Sequence, residues 1–153
     1  MRVLLTGCAG FIGFHLAKRL LERGDRLTGI DSINDYYDPA LKLARLAELG
    51  IDSGSALAGS PCTSSRYPGL TFRRVSIGNQ DAVAELFSAP AYDLVVNLAA
   101  QAGVRHSMEN PRAYMDANVI GFLNILEGCR HNPVGHLVYA SSSSVYGDRK
   151  SVV

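Results

Sequence analysis

The sequence is short of the features that would assign a chain quickly to a class. Its three cysteines, Cys8, Cys62 and Cys129, are odd in number, far apart and without a Cys-x-x-Cys pair. A disulfide framework is therefore not expected, and a reducing cytosol is the default compartment. No window comes near the ~20 consecutive apolar residues of a membrane span. The opening run Met1–Leu5 passes straight into Thr6 and Gly7 with no apolar core or cleavage site, so no signal peptide is expected. Charge of one sign is lacking too: 15 Lys and Arg face 14 Asp and Glu, for a net charge of +1. Such a balance gives no electrostatic reason to expect nucleic acid or an anionic membrane as partner. His15, His106, His131 and His136 have no carboxylate or cysteine partners at metal-ligand spacing, so no metal site is expected. No internal repeat recurs at a fixed period.

What is present is a soluble, globular composition, 47% hydrophobic and 19% charged over 153 residues, enough for one domain. Apolar runs alternate with helical patterns. Arg2–Thr6 reads as a strand, and the helix after it places Ile12, Leu16 and Leu20 on one face until Gly24 stops it. Arg26–Ile30 forms a second strand ending at Asp31, and Pro39 opens a helix carrying Leu41, Leu43, Leu46 and Leu49. Residues 50–69, rich in Ser, Gly, Ala and Pro, read as a long surface loop. A third strand at Leu70–Val75 leads to a short helix, Gln80–Phe87, with Val83, Leu86 and Phe87 inward. Asp93–Leu98 has the continuous apolar character of a strand buried on both faces. Pro111 begins the longest helix, running to about Arg130 through Val119, Phe122, Leu123, Leu126 and Cys129, and His136–Ala140 is the fifth strand. Strands alternating with helices imply parallel pairing through right-handed crossovers, hence a doubly wound α/β sheet of five strands.

Gly7, Gly10 and Gly13 lie between the first strand and the first helix, spaced G-x-x-G-x-x-G. One glycine makes the tight turn, one lets the backbone approach a pyrophosphate, and one lets helix and strand pack closely. Phosphate is then held by backbone N–H groups at the positive helix end. A glycine triplet alone is weak, but here Asp31 follows at the tip of strand two, 18 residues after Gly13. An acid there accepts hydrogen bonds from the adenosine ribose hydroxyls and repels a 2′-phosphate, favouring NAD over NADP.

The loop Thr6-Gly7-x-x-Gly10-Phe11-Ile12-Gly13 resembles the cofactor loop of extended short-chain dehydrogenase/reductases. Asp31–Asp38 (DSINDYYD), Asn97–Arg105 (NLAAQAGVR) and Tyr139–Gly147 (YASSSSVYG) narrow the resemblance to nucleotide-sugar epimerases, most closely the UDP-glucuronate 4-epimerases. It implies a Rossmann-type sheet of order 3-2-1-4-5 and a hydride shuttle. NAD takes hydride from C4 of a UDP-sugar, a tyrosine removes the hydroxyl proton, and the 4-keto sugar turns over before hydride returns. The resemblance further implies that Gly7, Gly10, Phe11, Ile12, Gly13, Asp31, Ser32, Ser76, Ile77, Leu98, Ala99, Ala100, Gln101 and Asn118 contact the cofactor. Ser142 would hydrogen-bond the reacting C4 oxygen with Ser143 close by, and Arg105 would lie near the sugar. Full-length relatives are expected to be homodimers. Cys8, at a variable position of the loop, is expected to pack rather than react.

The tyrosine and lysine of the Tyr-x-x-x-Lys pair are expected beyond Val153. Tyr146 and Lys150 satisfy the bare spacing, but Tyr146 matches the tyrosine of the Val-Tyr-Gly loop and lies too close to Ser142 to be the base. The chain is therefore expected to be the N-terminal, cofactor-binding part of such an enzyme, without its substrate-binding part, and not to epimerise alone. The alternatives are the same part of a sugar dehydratase, a non-catalytic dinucleotide-binding module, or a gene remnant. Two residues depart from the family pattern: Ser32 replaces the usual asparagine, and Ser76 the usual aspartate that reaches the adenine amino group. Restoring the acid should add about one hydrogen bond, or ~1 kcal/mol. Ser76→Asp is expected to tighten NAD binding about five-fold in a calorimetric titration; an unchanged Kd would contradict the assignment.

Overall fold

Successive side chains of a strand point to opposite faces, yet Val3, Leu4 and Leu5 of β1 (Arg2–Thr6) are all fully buried. Such a strand needs cover on both sides. The computed structural model, which describes residues 1–88, 91–142 and Val145, supplies it. Its central elements are α1 (Phe11–Glu22), β2 (Arg26–Asp31), α2 (Pro39–Glu48), α3 (Ser53–Leu57), β3 (Cys62–Thr63) and β4 (Leu70–Arg74). There follow α4 (Gln80–Phe87), β5 (Leu94–Asn97), α5 (Val104–Glu109), α6 (Pro111–Tyr114), a π-helical segment (Met115–Gly121), α7 (Phe122–His131) and β6 (His136–Tyr139).

The described strands form one sheet of order β3-β4-β2-β1-β5-β6. All pairings are parallel except that of β3 with β4. Without β3 the order is the expected 3-2-1-4-5, so the architecture is the doubly wound one that the alternation implies. One apolar layer packs Val3, Leu5, Leu27 and Phe72 beneath α1 and α2, through Ala17, Leu20 and Leu46. The opposite layer packs Leu4, Ile30 and Val95 against Val83, Leu86 and Phe87 of α4 and Ile125 of α7. Among the described residues β6 forms the far edge, with Val138 and Tyr139 44% and 53% exposed.

Four details differ from the sequence reading. The inner face of α1 is Gly13, Ala17, Leu20 and Leu21, whereas Ile12 is exposed. Small residues at 13 and 17 bring the helix so close to the glycine turn that the bulkier register faces outward. On α2 the buried positions are Leu46 and Lys42, while Leu41 is exposed. Residues 50–69 are not a plain loop. Asp52 caps α3 by accepting the Ser55 N–H at 2.9 Å, and Cys62–Thr63 adds a short antiparallel sixth strand to β4. Lastly, the helix from Pro111 is interrupted by the π segment. Gly121 there sits against Ile77, where a Cβ would come within 2.6 Å of the Ile77 side chain. Asn124 donates to the Ile77 carbonyl at 2.8 Å, fixing the helix in that position.

Gly13 tests the close helix–turn contact. Glycine to alanine inside a helix ordinarily stabilises by up to ~1 kcal/mol. A Cβ at 13, however, would overlap the backbone carbonyl of Gly7, which cannot swing away as a side chain could. Gly13→Ala is expected to destabilise by about 1–3 kcal/mol, the usual range for forced overpacking, read from the urea midpoint.

Candidate functional site

In an open parallel sheet, ligands bind beyond the carboxyl ends of the strands where the strand order reverses. Here that place lies between the ends of β1 and β5. Thr6, the last residue of β1, is fully buried and fully bonded. Its hydroxyl donates to Asn97 Oδ1 at 2.6 Å and accepts the N–H groups of Leu98 and Ala99 at 3.1 and 2.9 Å. One donor and two acceptor sites are all that a hydroxyl has. The segment leaving β5 is thereby fixed to the end of β1, immediately beside the glycine turn.

That turn is tight. Gly7 adopts φ +69°, a conformation open to glycine and costly for other residues, and Gly10 donates to its carbonyl at 2.9 Å. Gly10 also precedes α1 without any side-chain cap, so the first-turn N–H groups of Phe11 and Ile12 have no capping oxygen. The side chains of Phe11 and Ile12 are exposed and line neither of the two cavities described below.

Asp31, at the end of β2, is buried and closely held. Oδ2 accepts the Ala9 N–H at 3.1 Å, and Oδ1 accepts the Ile33 N–H at 2.9 Å and the Lys42 ammonium at 3.0 Å. Ile33 reaches it at φ +50°, an unusual conformation for a β-branched residue and a cost of order 1–3 kcal/mol carried beside the site. Lys42, from the buried face of α2, also donates to Asn34 Oδ1 at 2.9 Å and lies 5.3 Å from the centre of the Tyr37 ring. Arg45, one turn on, donates to the Ala9 carbonyl at 3.1 Å and to the Tyr37 hydroxyl at 3.2 Å. The pattern of leucines on α2 hid both cations.

Asn118 lies in the π segment, and its amide grips the backbone of Gln101 from both sides. Oδ1 accepts the Gln101 N–H at 2.8 Å and Nδ2 donates to the Gln101 carbonyl at 2.9 Å. From the other side Asn34 Nδ2 approaches Gln101 Oε1 at 3.4 Å. The Tyr114 hydroxyl rests on the carbonyls of Ala102 and Gly103. Gly103 has φ +98°, and a side chain there would run into the Tyr36 hydroxyl. Tyr114 was not singled out by spacing, and the aromatic pair Tyr36–Tyr37 was marked only as part of the DSINDYYD segment.

Two cavities, of about 390 and 730 Å³, meet along Ala99–Ala102 and Ala117. The first takes in Gly7, Gly10, Asp31, Ser32, Ser76, Ile77 and Leu98. The second takes in Asn118 and Ser142 at the end of the strand β6 leads into. Of the sequence-predicted residues, these are brought onto one continuous crevice. Gly13 lies behind it as packing, and the Ser76 hydroxyl accepts the Gly78 N–H at 3.3 Å. Arg105 is exposed on α5 and lines neither cavity. Ser143 lies outside the described residues, as do Tyr146 and Lys150.

A sequence profile described as the NAD dependent epimerase/dehydratase family matches residues 3–152. Protein CapI of Staphylococcus aureus is 48% identical over 151 residues, covering 99% of this chain and 40% of its own length. UDP-glucuronate 4-epimerase 4 of Arabidopsis thaliana is 43% identical over 146 residues, covering 95% of this chain and 30% of its own. A crystal structure of a mutant UDP-glucuronic acid 4-epimerase from Bacillus cereus, in complex with UDP-4-deoxy-4-fluoro-glucuronic acid and NAD, superposes with a TM-score of 0.80. It is 30% identical and covers all of this chain and 44% of that one. The chain thus spans two fifths or less of the length of these curated relatives.

Cys8, inside the glycine turn, is fully buried, and burial together with the nearby Asp31 charge pushes its thiol from 9.0 up to about 12. It packs, as its variable position in the loop suggested. The sign of the linkage follows: above pH 9 the unfolded chain sheds a thiol proton that the folded chain keeps, so stability falls as pH rises from 9 towards 12. Relative to Cys8→Ala, the wild-type chain is expected to lose on the order of 2 kcal/mol of urea stability between pH 8 and 11.

Proposed function

We propose that this chain, which belongs to the NAD dependent epimerase/dehydratase family, is the NAD-binding part of a nucleotide-sugar 4-epimerase that interconverts UDP-glucuronate and UDP-galacturonate. The observation that carries the reading is the crevice itself. The uncapped helix start at Gly10, a buried acid at the end of β2 and a floor that includes Ala99, Ala100 and Ala102 border one crevice at the strand-order reversal. Each suits one portion of a dinucleotide.

The residues fit the cofactor on structural grounds. A Cβ at Gly10 would lie 3.0 Å from the Gly7 carbonyl, in space that the turn otherwise leaves for a phosphate. The first-turn N–H groups of α1 would face the pyrophosphate and share the positive end of the helix. Asp31 would accept from the adenosine ribose, with Ser32, Ser76 and Ile77 bordering the adenine and Leu98 to Gln101 bordering the nicotinamide half. When bound, NAD supplies reversible hydride acceptance. Ser142 is exposed in the second cavity and is suited to hydrogen-bond the C4 oxygen of a sugar held there. Asn118 contributes by holding Gln101 in line rather than by chemistry of its own. The names of the Arabidopsis thaliana relative and of the Bacillus cereus structure support a UDP-hexuronate as substrate, gripped largely by residues beyond those described.

The test is calorimetric titration of the purified 153-residue chain. NAD is expected to bind at micromolar to millimolar Kd, NADP at least ten-fold more weakly, and Asp31→Ala to lose most NAD affinity. No heat of binding with NAD would overturn the reading.

A further inference from the structure

An acid at the end of the second strand is expected to accept from the ribose hydroxyls, but Asp31 lacks the free acceptor sites among the described residues to serve both fully. A carboxylate offers about two lone-pair sites on each oxygen. Oδ1 already accepts from Ile33 and Lys42, at 2.9 and 3.0 Å, and Oδ2 accepts from Ala9 at 3.1 Å. One site on Oδ2 is left among the described residues. It can serve one hydroxyl of a vicinal diol.

The neighbour that makes up the difference is Lys42. Its side chain is 8% exposed, on a helix whose other buried position is Leu46, and it lines the same cavity as Asp31. Burying an ammonium in this place is expensive, and replacing a buried ion pair by apolar residues of like volume is often neutral or stabilising. Stability alone therefore gives the fold no reason to carry the Asp31–Lys42 pair as a whole. An ammonium has three N–H donors, of which Asp31 and Asn34 take two among the described residues. The third is available at the cavity wall, and the Tyr37 ring at 5.3 Å covers the other side of the ammonium.

We propose that Asp31 and Lys42 read the adenosine ribose as a pair: Asp31 accepts from one hydroxyl through its remaining Oδ2 site, and Lys42 donates to the oxygen of the other. The inference rests on the crevice being the NAD site. It makes α2, and not only the glycine turn and the end of β2, part of cofactor recognition. The diol is then chosen by matching one acceptor to one donor, in addition to the Asp31 charge that disfavours a 2′-phosphate.

The experiment titrates the 153-residue chain with NAD and with analogues whose adenosine ribose lacks the 2′- or the 3′-hydroxyl. For the wild-type chain, each deoxy analogue is expected to bind about ten-fold or more weakly than NAD, because each hydroxyl has its own partner. In Lys42→Met, NAD is expected to weaken about ten-fold. The advantage of NAD over one of the two analogues should then collapse towards one, while its advantage over the other persists. The proposal is overturned if the wild-type chain tolerates loss of either hydroxyl unchanged, or if Lys42→Met weakens all three ligands by a common factor, the signature of structural support alone. The wild-type arm can overturn the proposal even if Lys42→Met does not fold. Absence of NAD binding to the wild-type chain would overturn the cofactor reading and this inference together, whereas NAD binding with flat analogue affinities overturns this inference only.

Discussion

The carboxylate of Asp31 is buried at the end of β2, and much of the local architecture is arranged around holding it there. A buried carboxylate without partners would be costly by several kcal/mol. Its partners here come from three different elements: the glycine turn through Ala9, the chain just past β2 through Ile33, and α2 through Lys42. Meeting the demand ties these elements together, so the acid acts as a clasp as well as a ligand. The strained backbone of Ile33 and the burial of Lys42 are both consequences of it. The neighbouring Cys8 thiol feels the same negative charge, though burial is the larger cause of its raised pKa.

A second knot, at the other side of β1, sets the width of the crevice. Thr6 bonds Asn97 and the two residues after it, which fixes where the chain leaves β5. Farther out, Asn118 pins Gln101 by both of its backbone groups, a two-point contact that prevents rotation as well as translation. The floor of the crevice at Ala99–Ala102 is thus suspended between a hydroxyl beneath and an amide above. The alanines at 99, 100 and 102 keep that floor low on either side of Gln101.

The glycine turn, the acid at the end of β2 and the order of the five main strands were legible because each leaves a mark in the residue types themselves. Glycine is required where φ is positive or backbones touch, and alternation of strand and helix limits the topology. What escaped was settled by contacts distant in sequence. Lys42 sits in a leucine-rich helical pattern, and only Asp31, eleven positions away in the chain, explains why it turns inward. The short helix and strand within residues 50–69 depend on a cap at Asp52 and on an available edge at β4, neither of which has a periodicity to detect. Arg105 carries a motif position yet is exposed on α5, since matching a pattern gives an address on the chain but no direction for the side chain.

The π segment gives the helix after Pro111 a property of counting. An α-helix advances 100° per residue, and a π turn accommodates one residue more than an α turn over the same rise. Asn118 faces Gln101 and Gly121 faces Ile77 only because that surplus residue is absorbed between them. The segment is therefore a vernier: shortening the chain there by a single residue would restore a regular helix and swing one of the two contacts about a quarter-turn out of line. Length in this stretch is as much a part of the crevice as the identity of the side chains that face it.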